Sequence, residues 1–218
     1  MARYMQVRDI ITEDQTWTAP EAENQQFEVS VWGGGGAGSI ATFEEPITGA
    51  GGGSGYMKSG KFTIPSGEAV DVKIGQGGKG CIGTTASAFV NAYIGESGGT
   101  TIFGRYLSAE GGQGGKYDQG GIGGHNGGAP GTDGIGNFGS YGIMNTCNNV
   151  FFASGGGGSG VMAKGMGGSA NYAAGDAGTS GGGSGAFVTS VDNAGIHRKT
   201  GSGGRGVCVI KYNRKLGD

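Results

Sequence analysis

The 218-residue chain carries 56 glycines, four prolines, 15% charged residues and a formal net charge of -2 at pH 7. So small a charge gives no long-range field to gather nucleic acid or an anionic membrane, and the unbroken proline-rich Gly-X-Y register of collagen is absent. Glycine- and serine-rich tracts are ordinarily flexible linkers, but nine Phe, eight Tyr and two Trp stand between them in apolar runs, and a linker has no use for those.

Residues 1–16 are poor in glycine and read either as a loose terminus or as an arm that attaches to another subunit, with Val7, Ile10 and Ile11 free to dock. Residues 17–218 read as one glycine-rich domain. Phe27, Val29 and Val31 alternate with Glu28 and Ser30, which predicts a half-buried strand over 26–32. That strand runs directly into Gly33–Gly36 and Gly38. A loop over 39–48 and a second glycine tract over 49–55 follow.

Residues 61–74 are expected to form a hairpin about Pro65-Ser66-Gly67, because proline presets φ and glycine accepts a positive one. A third glycine tract covers 75–83. Apolar runs at 86–94 and 100–109 read as another hairpin, with a short helix at 86–92 as an option. The long tract 111–136, the aromatic insert 137–153, glycine runs to 185 and an insert at 186–199 come next. The last strand, over 207–212, is apolar on both faces and is expected to be central, paired with the strand at 27–32.

In the long tract the glycines step by three: Gly112, Gly115, Gly121, Gly124 and Gly127 in one phase, then Gly128, Gly131 and Gly134 in another. Three is the period of polyproline II, which has about 3.1 Å of rise per residue and no internal hydrogen bonds. One side of each helix is then bare backbone, and bare backbones can pack together. The expected fold is mostly β and irregular: a glycine-rich polyproline II bundle flanked by a small antiparallel sheet or sandwich. Gly112, Gly115, Gly121, Gly124, Gly127, Gly131 and Gly134 are its expected core glycines. Neighbouring backbones must supply hydrogen-bond partners, since each buried polar group left unpaired costs a few kcal/mol.

Chemistry-bearing motifs are weak. Gly75-Gln76-Gly77-Gly78-Lys79-Gly80 fits G-x-G-x-x-G, but dinucleotide binding needs a helix to open there and glycines continue instead. Aspartate does not recur in the nine-residue step of calcium-binding repeats. His125 and His197 are isolated, and Cys81, Cys147 and Cys208 are too widely spaced for a zinc site or a disulfide framework. No cofactor or metal is expected, and no enzyme. No apolar run approaches 18 residues and no signal-peptide pattern opens the chain, so the reading is of a soluble protein made in a cytoplasm.

Three stretches together carry a resemblance. They are Trp17-Thr18-Ala19-Pro20 with Val29-Ser30-Val31-Trp32-Gly33-Gly34-Gly35-Gly36, then Phe62-Thr63-Ile64-Pro65-Ser66-Gly67 with Val72-Lys73-Ile74-Gly75-Gln76-Gly77-Gly78, then Gly203-Gly204-Arg205-Gly206-Val207-Cys208-Val209-Ile210-Lys211-Tyr212. Over about residues 17–212 the chain resembles the glycine-rich domains of bacteriophage tail-fibre and tail-appendage proteins. Its long glycine tracts with inserts are similar to the tip adhesins of T-even-like phages. The resemblance implies a polyproline II sandwich whose distal loops bind a bacterial surface protein or glycan.

The expected function is thus a virion adhesin, located in the virion after synthesis in the bacterial host cytoplasm. It would join other virion proteins through the N-terminal arm, with self-association open and no nucleic-acid or membrane partner. Inserts 39–48, 137–153, 169–174 and 186–199 are the expected contact surface, with Tyr141, Met144, Phe151, Tyr172 and His197 as anchors, since aromatic side chains serve binding sites well. A purely structural virion fitting is one alternative. An ice-binding protein is the other, although Lys, Tyr, Gln, His and Asp interrupt the regular face of small residues that ice requires.

Overall fold

A computed structural model describes residues 3–39, 51–53, 55–80, 82–84, 94–116, 121–123, 144–147, 150–154, 187–192 and 195–215. The strands among them are β1 (Tyr4–Ile11), β2 (Gln15–Thr18), β3 (Gln26–Trp32), β4 (Met57–Thr63), β5 (Ala69–Lys73), β6 (Ile82–Thr84), β7 (Thr101–Phe103), β8 (Leu107–Ala109), β9 (Met144–Cys147), β10 (Val150–Ser154), β11 (Phe187–Asp192), β12 (Gly195–Lys199) and β13 (Val207–Lys215). The described residues contain no α-helix, only a short 3-10 turn at Glu23–Gln25.

Two four-stranded antiparallel sheets carry the core, in the orders β1-β13-β3-β4 and β2-β5-β7-β8. The alternation in β3 turns Phe27, Val29 and Val31 inward, and the facing positions of β13 add Cys208, Ile210 and Tyr212. Trp17, Val70, Val72, Phe103 and Ala109 come from the other sheet to meet them. Trp17 packs edge-on to Phe27 with ring centres 5.2 Å apart, a geometry that aromatic quadrupoles favour. The final strand is central, and pairs with β3 from Val207↔Trp32 to Lys211↔Glu28. Burial on both of its faces explains why its apolar residues do not alternate.

Three expectations change. Residues 61–74 turn where expected, at Pro65-Ser66-Gly67, with Glu68 N–H donating to the Pro65 carbonyl at 3.0 Å and Gly67 at φ +85°. The flanking strands do not pair with each other. β4 joins β3 and β5 joins β2 and β7, so the turn is a corner between sheets. The run 100–109 is not one strand but a tight hairpin, β7–β8, turning at Gly104 with φ +46°. Residues 1–16 are built into both sheets: β1 pairs with β13 along its whole length, and β2 pairs with β5. The option of a helix at 86–92 falls outside the described residues.

The glycine segments between the strands are bonded to one another. Residues 33–39 are buried without a break, and six successive N–H groups there rotate through three neighbours. Gly33 and Gly36 donate to the carbonyls of Tyr56 and Gly53, Gly34 and Ala37 to those of Gly99 and Glu96, and Gly35 and Gly38 to those of Gly204 and Gly201, at 2.8–3.0 Å. A strand alternates between two sides. This segment repeats after three.

Carbonyls of the same segment accept in turn. Gly112 donates to Gly34, Gly78 to Gly35 and Gly115 to Ala37, at 2.8–2.9 Å. All six N–H groups of 33–38 and three of its carbonyls are thereby paired with backbone alone. Ideal Cβ atoms built on Gly33, Gly36, Gly98 and Gly203 would collide with the carbonyls of Glu110, Gln113, Gly34 and Gly35. Side chains are excluded there by contact, as the composition led one to expect.

Candidate contact surface at the loop end of the glycine segments

Chain direction sorts the molecule into two ends. The segments at 33–38, 75–80 and 110–115 leave the sheets after β3, β5 and β8, while those at 51–56, 95–99 and 200–206 return to β4, β7 and β13. Their bonds agree. Gly33/Tyr56 with Gly36/Gly53 runs antiparallel, and so does Gly203/Gly78 with Gly206/Gly75. The outward segments are described as far as 39 and 84 and the returning ones from 51 and 94, which makes the end away from the sheets the turnaround end. The chain ends lie at the opposite one, because β1 and β13 bring Tyr4 and Lys215 together there.

At the turnaround end, β6 continues directly from the segment 75–80 and β12 leads directly into 200–206. They pair with each other, and β11 pairs with β12, giving a small sheet β11-β12-β6. Its base is tied down where Gly80 N–H donates to Ser202 Oγ at 2.9 Å. His197 sits opposite Thr84, Arg198 opposite Gly83 and Lys199 opposite Ile82. A run of three basic-type residues is thus held at fixed register positions, which isolated loops would not provide.

Of the expected anchors, Met144 begins β9, where it pairs with Ser154. Phe151 lies in β10 opposite Thr146, beside a register shift that ends at Ala153. The structure therefore places those two in one hairpin and His197 in another sheet, with no strand pairing between the two among the described residues. Tyr141 and Tyr172 lie outside the described residues, as do the inserts 40–48 and 169–174. Gly112, Gly115 and Gly121 are buried and donate to the carbonyls of Gly34, Ala37 and Gly51 at 2.8–2.9 Å. Gly124, Gly127, Gly131 and Gly134 lie outside the described residues.

The chain-end side of the sandwich holds a feature that the sequence reading missed. A cavity of about 310 Å³ opens there, lined by Gln6, Gln26, Glu28, Lys61, Lys211 and Asn213 among others. Glu28 stands opposite Lys211 in β13 and Lys61 in β4, with Lys211 Nζ 4.0 Å from Glu28 Oε1. The polar ends of β3, β4 and β13 are the signal that could have found it, but only once their register was known. Nearby, Asn213 Nδ2 donates to Glu23 Oε2 at 2.8 Å, and Asn24 and Gln25 both hold positive φ, 52° and 53°.

Ionisable groups inside the sandwich serve its packing. Trp17 Nε1 donates to Asp9 Oδ2 at 2.9 Å, joining the two sheets. Burial raises the Tyr212 phenol above its usual range, and Asp9 beside it adds to the shift. Burial pushes the Cys208 thiol up to about 12, so it is no nucleophile. Among the described residues no group of three or more His, Cys, Asp or Glu side chains is placed to hold a metal ion.

A family described as a glycine-rich domain matches residues 11–213 of the chain. No curated protein gives a significant match.

Proposed function

The chain belongs to the glycine-rich domain family, and on that premise we propose that it is a non-enzymatic bacteriophage appendage protein that contacts the host surface. The chain-end side of its sandwich faces the particle, and the turnarounds and inserts face the bacterial surface. One observation carries this reading: Tyr4 and Lys215 lie at one end of a backbone-bonded bundle, and the described glycine segments lead away from the sheets towards the other. Loops on such a scaffold can vary without disturbing its packing, as a surface that must follow a changing receptor requires.

In this reading the glycine segments are polyproline II helices. Support comes from the acceptor that changes with each residue and returns after three, which matches three residues per turn. Chemical shifts placing residues 33–38 near φ about -75° and ψ about +145° would bear this out, and extended strand values would overturn it.

The contact surface is tested by an alanine block over the described strands of 144–154 and a second over 195–199. Purified protein should bind intact host cells, and each block should reduce that binding. Unchanged binding in both variants would remove these inserts from the contact surface. Failure of the wild-type chain to bind cells while it still incorporates into particles would favour the structural fitting. Deleting residues 1–16 is no test of attachment, because it strips β1 and half of β2 from the sandwich.

A further inference from the structure

The sandwich has four outer strands, and they are not equally guarded. β8 has three residues and β2 has four. β4 carries Lys58, Gly60 and Lys61, and lysine or glycine on an edge discourages added strands. β1 has eight residues with neither proline nor glycine. Its register with β13 is unbroken from Tyr4↔Lys215 to Ile11↔Cys208, so no bulge turns away its outer edge, which no strand among the described residues pairs with. Tyr4, Met5 and Ile10 are 41%, 50% and 51% exposed. They are three of the five exposed large hydrophobics among the described residues, so apolar exposure is concentrated on this one strand.

We propose that β1 pairs antiparallel with β1 of a second copy of the chain, about a two-fold axis through Val7. An axis perpendicular to the sheet keeps each residue on its own face, so the axis must pass through a residue. Centred on Arg8 it would oppose Val7 to Asp9 but leave Tyr4 against Thr12, beyond the strand, and set two arginines against each other at the axis. Centred on Asp9 it would set two aspartates there. Like charges directly opposite are unfavourable. Centred on Gln6 it would overlap only Tyr4 to Arg8 of the strand and leave Ile10 outside.

Centred on Val7, it opposes Tyr4 to Ile10, Gln6 to Arg8 and Met5 to Asp9, with no like charges directly opposite. Tyr4 and Ile10, two of the strand's three exposed large hydrophobics, then cover each other across the axis. Two four-stranded sheets become one of eight strands, and the turnaround ends of the two copies point in opposite directions. This inference uses only the sandwich edge and does not rest on the host-contact reading; it describes the free chain, because within such a dimer the two copies cannot both turn their turnaround ends to one host surface.

The test is the mass of the full chain by light scattering and sedimentation over a wide dilution series. The expected result is a concentration-dependent dimer. Gln6→Arg sets like charges opposite each other twice per dimer and should weaken it on the order of tenfold. Adding Arg8→Glu to Gln6→Arg should restore the dimer. Gln6 and Arg8 are exposed, and thermal melts would verify that both variants fold. A chain that stays monomeric, a dimer indifferent to Gln6→Arg, or a double variant that stays weak would each overturn the proposal. A monomer is also what is expected if this edge takes a strand from a different protein.

Discussion

The carbonyl group of Gly34 occupies the place that a Cβ on Gly98 would need. The two backbones are held there by ladder bonds on either side: Gly34 N–H to the Gly99 carbonyl, and Gly98 N–H to that of Gly112, both at 2.9 Å. The nearest atoms are all backbone, so no side chain can rotate to make room. Gly98→Ala is therefore expected to cost at least the roughly 1–3 kcal/mol typical of overpacking, and Gly98→Val more. Urea denaturation of the purified variants measures it.

A glycine with a different task gives the contrast. Gly67 has φ +85°, and nothing lies within 4 Å of the point where a Cβ would stand, so its side-chain space is open. Gly67→Ala should cost only the backbone strain, about 1 kcal/mol. Gly67→Asn should cost less, because asparagine tolerates the left-handed region. Equal losses in Gly67→Ala and Gly98→Ala would mean that close backbone contact is not what selects glycine in the segments.

Asp9 ties β1 to Trp17 in the opposite sheet. Asp9→Ala leaves the indole N–H of a buried Trp17 without that acceptor, at an expected cost of about 1–3 kcal/mol. Asp9→Asn keeps one acceptor oxygen and should cost less. Chemical denaturation followed by tryptophan emission measures both losses; an Asp9→Ala chain as stable as the wild type would show that the bond contributes nothing.

Alkaline pH should destabilise the fold through Cys208. Burial raises its thiol from 9.0 to about 12, so the folded chain holds this proton more tightly than the unfolded chain does. The resulting stability is complete below pH 9.0 and is lost as pH rises towards about 12. The full window corresponds to an order of magnitude of about 4 kcal/mol. Tyr212, also raised, acts in the same direction above its usual range. Cys208→Ala should be less stable near neutrality yet lose less stability with rising pH. Parallel pH profiles for the two chains would contradict the assignment.

Sequence spacing was enough to place β3, to mark β13 as central and to locate the turn at Pro65-Ser66-Gly67. Each depends on local rules: alternation, two-sided apolarity and φ preference. The same spacing misjudged the strands flanking that turn, because a corner between sheets and a hairpin share one turn chemistry. It also could not show that the polar residues Glu28, Lys61 and Lys211 meet around one cavity.

Where side chains are forbidden and where apolar residues alternate could be read from the amino acids alone, since both are written in neighbouring positions of one chain. Which backbone accepts from Gly33, which from Gly34 and which from Gly35 was settled only when the whole chain came together in space. A bare glycine backbone offers the same N–H and C=O at every residue and so carries no local label for its partner. The strands at its ends set the register by burying Phe27, Val29 and Ile210, and the glycine segments follow.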